Sequence, residues 1–182
     1  MRSRERAGIA EADMAKAEIV EADIPVNERA GLALFVYGTL MFGEIVEELL
    51  GRRPDLTAAV APGWRAARLP GLVYPGLVPA PGRRASGLVL SGLSAAEWAV
   101  LDDFEGDAYV LCPVEAHTLG AGDGLDGPNE GAGPGRGATP GALTYAWRAV
   151  GEVEAGDDWD PDWFASHWLR RYADRLRPGT DV

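Results

Sequence analysis

Apolar positions along the chain follow two rhythms. Residues 32–37, LALFVY, are apolar throughout, the pattern of a central strand covered on both faces. The run stops at Gly38 and Thr39. From Glu44 onward, Ile45, Val46, Leu49 and Leu50 recur on one helical face until Gly51 closes the helix. A strand, a tight turn and a short helix are therefore expected between residues 32 and 51. Residues 57–90 carry shorter strand-like runs, TAAVA, WRAARL, LVY and SGLVL, punctuated by Pro62, Gly63, Pro70, Gly71, Pro75, Gly76, Pro79, Pro81 and Gly82. Runs this short suit a curled sheet or a small barrel better than a doubly wound sheet.

Ser94 and Glu97 form a capping box, and Trp98, Leu101 and Phe104 behind it mark the buried face of a helix that ends near Gly106. YVLCPVEAHTL, residues 109–119, resumes as a strand, and LTYAWRAV, residues 143–150, is its expected antiparallel partner. Between them lies a Gly-rich insert at about 120–141, too poor in apolar surface to order itself and expected to be a long disordered loop. Asp160 and Pro161 then supply an N-cap and an N1 proline. Phe164, Trp168, Tyr172 and Leu176 repeat every four residues along a last helix, a stripe that reads as docking surface. Residues 1–30 mix small and charged residues without a sustained period and read as a mobile tail or short surface helix. The expectation is a single α+β domain over residues 31–178.

Composition narrows the function classes. Lys and Arg number 17 against 28 Asp and Glu, a formal net charge of -11, so the average surface repels a nucleic-acid backbone. The single cysteine, Cys112, permits no intrachain disulfide and fits a reducing, cytoplasmic setting. The acidic interruptions Glu11, Asp13 and Glu18 leave no signal-peptide h-region, and no stretch reaches transmembrane length. Two histidines, His117 and His167, with one cysteine do not make a familiar zinc site. No GxSxG elbow or P-loop occurs. Cys112 beside Pro113 in an apolar run reads as a buried, inert thiol, and the insert's acidic residues lack EF-hand spacing.

One acidic cluster breaks a local rule. LDDFEGDAY, residues 101–109, gathers Asp102, Asp103, Glu105 and Asp107 at the end of a helix, where the macrodipole disfavours carboxylates. Clustered charge is ordinarily a solvated face, and Asp102, Asp103 and Asp107 are expected to face water. Glu105 differs, because it lies between Phe104 and Gly106 with Tyr109 shortly after. A carboxyl so placed should have its pKa raised, which suits a general base that takes a proton from an ammonium and returns it near neutrality.

FVYGTL followed downstream by LDDFEGDAY resembles the gamma-glutamylcyclotransferase-like superfamily, in its branch named for a plant avirulence-induced gene, which includes the gamma-glutamylamine cyclotransferases. The likeness runs over residues 32–174, through GLVYPGLVP, SGLVLSGLSAAEWAVLDDFEGDAY, the TYAW strand and the Trp-rich last helix. It implies a small mixed β-barrel of short strands with helices packed outside. It implies that backbone N–H groups of Tyr37, Gly38, Thr39 and Leu40 hold a gamma-glutamyl group, that Glu105 is the catalytic acid/base, and that Tyr109 and Tyr145 belong to the substrate pocket. Gly-Thr-Leu in place of the Gly-Ser-Asn of the glutathione-pathway enzymes points away from free gamma-glutamyl amino acids as substrate.

The implied reaction is attack of the substrate's own α-amine on its γ-carbonyl, giving 5-oxoproline and a free amine. Nucleophile and electrophile share one molecule, so folding the substrate into a near-attack shape replaces a covalent nucleophile, and neither cofactor nor metal is implied. The partner would be a small gamma-glutamyl molecule, with no nucleic acid and no membrane; no oligomeric state follows. Three alternatives stand beside this reading: a non-catalytic small-molecule binding module of the same fold, a tailoring enzyme that removes a gamma-glutamyl group from a secondary metabolite, and an interaction protein built on the acidic surface.

Overall fold

The computed structural model describes residues 19–119, 138–153 and 157–177. Among them, seven strands form one mixed sheet in the order β4-β7-β1-β3-β2-β5-β6. The strands are β1 (Leu34–Val36), β2 (Asp55–Arg68), β3 (Pro75–Ser91), β4 (Tyr109–Pro113), β5 (Ala116–Thr118), β6 (Ala138–Thr139) and β7 (Leu143–Trp147). Four helices accompany it: α1 (Gly43–Leu50), α2 (Ala95–Glu105), α3 (Pro161–His167) and α4 (Leu169–Leu176). The class is α+β, and the sheet curls into a half-barrel.

The all-apolar run around β1 is explained by two cores. Leu34 and Val36 enter a cluster with Ile45 and Val46 of α1, Trp98 and Leu101 of α2, and Phe164 of α3. Their neighbours Ala33, Phe35 and Tyr37 enter a second cluster on the other face. No helix contributes to that second cluster. Its other members, among them Ala59, Ala61, Ala85 and Ala116, come from the sheet and its connections, and their small side chains let the sheet close over its own inner face. β1 runs antiparallel to β3 and parallel to β7, which makes the sheet mixed.

The pieces expected as separate short strands in residues 57–90 are continuous. β2 and β3 pair from Asp55↔Ser91 to Arg68↔Pro75, with one register shift where β2 steps from Pro62 to Trp64 while β3 steps from Arg84 to Pro79. The prolines and glycines that read as strand breaks lie at this irregularity and at the strand ends, where missing donors cost little. Conversely, residues 109–119 divide into β4 and β5, and only β4 pairs with β7, from Tyr109↔Trp147 to Pro113↔Leu143.

The helices follow their caps. Ser94 and Glu97 make the reciprocal capping box, and the Arg52 guanidinium beside Glu97, helped by Ser94, holds that carboxyl at about 2. Both α1 and α2 stop at glycines of positive φ, Gly51 at 69° and Gly106 at 61°. Asp160 caps α3, with Pro161 as its first residue. The tail expected over residues 1–30 is corrected in part: residues 1–18 lie outside the described ones, but 19–30 pack on the domain, with the Ala22 amide donating to Leu111 O at 2.8 Å. Residues 120–137 of the expected disordered insert also lie outside the described ones, while Ala138 and Thr139 form β6 against β5. Among the described residues no helix is long and apolar enough to cross a membrane.

Candidate active site

At the end of β1 the chain makes a 3-10 turn over Thr39–Met41 before entering α1. The Met41 and Phe42 amides close it on Gly38 O and Thr39 O. Among the described residues the amides of Gly38, Thr39 and Leu40 have no hydrogen-bond acceptor, although all three residues are buried. The first N–H groups of a helical turn have no partner within it, and three successive ones can donate to a ligand oxygen. Gly38 is required by its neighbour: a Cβ there would meet Pro75 Cγ at 2.7 Å.

These residues line a cavity of about 130 Å³ that Tyr37, Glu105, Tyr109 and Tyr145 share. Its volume is roughly ten times the minimum that admits one water. The structure thus brings together every residue assigned to the site from sequence. Seven further wall residues were not assigned to it: Phe35 and Val36 of β1, and Tyr74, Pro75, Phe104, Ala108 and Tyr172. Tyr172 belongs to the aromatic stripe that reads as docking surface; it packs against Phe104 and Phe164 and also lines the cavity. Phe164, by contrast, is fully buried against Phe42, Trp159 and Tyr172. Tyr74 and Pro75 fall in GLVYPGLVP, whose resemblance to the family was the one signal pointing to them.

The tyrosines are held by main-chain and carboxylate acceptors. Tyr37 OH donates to Tyr145 O at 2.7 Å. Tyr109 OH donates to Pro75 O at 2.7 Å, and its ring meets Trp147 edge-on at 5.2 Å. Tyr145 OH donates to Asp102 Oδ1 at 2.7 Å. Asp102 also receives both of its oxygens' contacts from Arg29 Nη1, at 2.9 and 2.7 Å. The expectation that Asp102 simply faces water is therefore corrected, whereas Asp103 and Asp107 are exposed.

Glu105 ends α2 at the cavity. The residue keeps some accessible surface because it borders open space, yet enough protein surrounds its carboxyl that desolvation pushes its pKa up to about 8. The ordinary cause of such a shift near a helix end would be the dipole or like charge; here burial alone accounts for it. The Tyr37, Tyr109, Tyr145 and Tyr172 hydroxyls are all pushed up, first by burial, and the nearby Glu105 charge adds to each. Cys112 is buried and its thiol is pushed up to about 12 by desolvation, in keeping with an inert side chain. His117 pairs with Glu115 on β5, and His167 bonds Trp163 O on α3. Among the described residues no three His, Cys, Asp or Glu side chains gather to hold a metal ion.

The arrangement offers donors on one wall and a proton-accepting carboxyl on another, across a space suited to a small polar molecule. Comparison with known proteins bears on the family and the fold. AIG2-like protein C of Arabidopsis thaliana is 31% identical over 142 residues, covering 78% of this chain and 74% of that one. AIG2-like protein D of the same plant is 40% identical over 77 residues, 42% of this chain and 51% of that one. Among solved structures, an Arabidopsis thaliana protein determined in solution superposes with a TM-score of 0.55 at 22% identity, covering 87% of this chain and 84% of the other. A gamma-glutamyl cyclotransferase superposes with a TM-score of 0.50 at 14% identity over 80% and 86% of the two chains, a likeness of fold. The sequence pattern of one family matches residues 34–163, and the chain belongs to it: gamma-glutamyl cyclotransferase, AIG2-like.

Proposed function

We propose that the protein is a gamma-glutamylcyclotransferase that converts a gamma-glutamyl amine into 5-oxoproline and the free amine, with Glu105 as general acid/base. The observation that carries this reading is the shared cavity: Glu105 lines the same space as Gly38, Thr39 and Leu40, whose amides have no acceptor among the described residues.

Burial pushes the Glu105 pKa up to about 8, so its carboxyl holds a proton near neutrality. A substrate ammonium entering beside it favours the carboxylate, so the base forms where it is needed. Glu105 takes a proton from the α-ammonium, and the freed amine attacks the γ-carbonyl carbon to close a five-membered ring. Charge develops on the γ-oxygen, towards which the loop amides offer fixed donors. Glu105 returns its proton to the amide nitrogen as the original C–N bond breaks. Two protons leave the α-nitrogen in all, and both end on the departing amine, which leaves as an ammonium.

Incubation with a panel of gamma-glutamyl amines, with separate quantitation of 5-oxoproline and amine, tests the reading. The expected result is equal release of both from at least one compound. Binding of a panel member without release would favour the non-catalytic module and overturn the enzyme assignment.

A further inference from the structure

Arg29 precedes the residues that match the family pattern, 34–163, yet it reaches the cavity through two contacts. Its Nη1 donates to both oxygens of Asp102, its Nε donates to Ile24 O at 2.7 Å, and its guanidinium lies 5.9 Å over the Trp98 ring. Its side chain is only 13% exposed. Anchored on three sides, the arginine fixes the Asp102 carboxylate beside the Tyr145 hydroxyl.

A hydroxyl has one proton, and a carboxylate gripped by a guanidinium offers only lone pairs. Tyr145 spends its proton on Asp102 Oδ1 at 2.7 Å, so its oxygen has only acceptor capacity left for the cavity. Tyr109 spends its proton on Pro75 O in the same way. On the Glu105 side the Tyr145 and Tyr109 oxygens are therefore left as acceptors, while the turn at residues 38–40 offers backbone donors. That polarity matches a molecule with an ammonium at one end and a carbonyl or carboxylate at the other. Burial, the Asp102 bond and the Glu105 charge all push the Tyr145 phenol up, which keeps its proton in place for Asp102.

We propose that Arg29 and Asp102 are positioning residues that hold the Tyr145 hydroxyl as a hydrogen-bond acceptor for the substrate's α-ammonium. The inference rests on the proposed substrate carrying that free ammonium, and makes the site selective against gamma-glutamyl compounds whose α-amine is acylated.

The test uses γ-glutamyl methylamide and its N-acetyl derivative, which differ in the ammonium. Affinities are read by NMR titration of the full chain, which observes probe and product separately. Wild type should bind the free-amine probe at least tenfold more tightly. Asp102→Ala and Tyr145→Phe should each weaken that probe about tenfold, the size of one lost hydrogen bond to a charged group, and leave the N-acetyl probe unchanged. The double variant should lose no more than either single one, because both remove the same interaction. Asp102→Asn, which keeps an acceptor oxygen for Tyr145, should retain most of the affinity. If Asp102→Ala does not fold, Arg29→Met, which leaves Asp102 unanchored, supplies the comparison. Additive losses, an unchanged affinity in Asp102→Ala or its Arg29→Met substitute, or equal or no binding of the two probes by wild type would overturn the proposal. Lack of 5-oxoproline with this affinity pattern intact would count against the reaction and leave the positioning role standing.

Discussion

A carboxyl whose folded pKa is raised gives the fold a defined pH dependence. In the unfolded chain Glu105 ionises near 4.5, while in the folded one it holds its proton to about 8. Between those values the folded state binds a proton that the unfolded state does not, so stability falls as pH rises through the window and levels off above it. At pH 7 the penalty is on the order of 3 kcal/mol. Glu105→Gln removes it. Urea unfolding should therefore show the variant close to wild type at pH 4–5 and more stable by that order at pH 7–8. Parallel curves across this range would mean that the carboxyl is not desolvated. Such a cost in stability is what a site kept for chemistry carries. The residue is legible in the sequence because its place at a helix end defies propensity. The cause of its shift is not, because burial comes from the folded chain, where residues as distant as Tyr145 and Tyr172 line the same cavity. Asp102 escaped for the same reason, its partners Arg29 and Tyr145 lying on other elements.

The turn after β1 depends on contact between elements. Gly38 admits Pro75 at a distance no Cβ tolerates, and Pro75 O in turn accepts the Tyr109 hydroxyl. Gly38→Ala should cost about 1–3 kcal/mol by overpacking. It should also depress activity beyond what lost folding explains, because Pro75 can yield only by dragging the bond to Tyr109. Thermal melts read beside turnover of the fraction that remains folded would separate the two effects. Full activity in a folded Ala variant would show that this contact does not shape the site. The glycine was legible as a turn residue, but the proline that makes it necessary was read only as a break between short strands. Local capping was plain: Ser94–Glu97 and Asp160–Pro161 start their helices where their spacing predicts. Strand continuity across Pro62 and Pro79 was not, because a register shift in a long hairpin satisfies the backbone in a way that local sequence does not announce.

At the scale of the molecule, a curled sheet with helices on one face sets the end of β1 and the end of α2 against one cavity. The apolar run at residues 32–37 announced a strand covered twice, and the two clusters it joins are the reason. Residues 19–30 have no sustained periodicity and dock through scattered contacts, Ala22 to β4, Arg29 to α2, and Ile24 and Val26 on the core, so their docking left no pattern to read. The division of labour between turn and helix end is the central claim, and one comparison tests it most directly. Wild type and Glu105→Gln would be given the same gamma-glutamyl amine, with 5-oxoproline formation followed at saturation and ligand affinity measured alongside. The account predicts a folded variant that still binds but forms 5-oxoproline about 10²–10⁴ times more slowly, the share that a positioned acid/base supplies. Equal turnover in the Gln variant would contradict it.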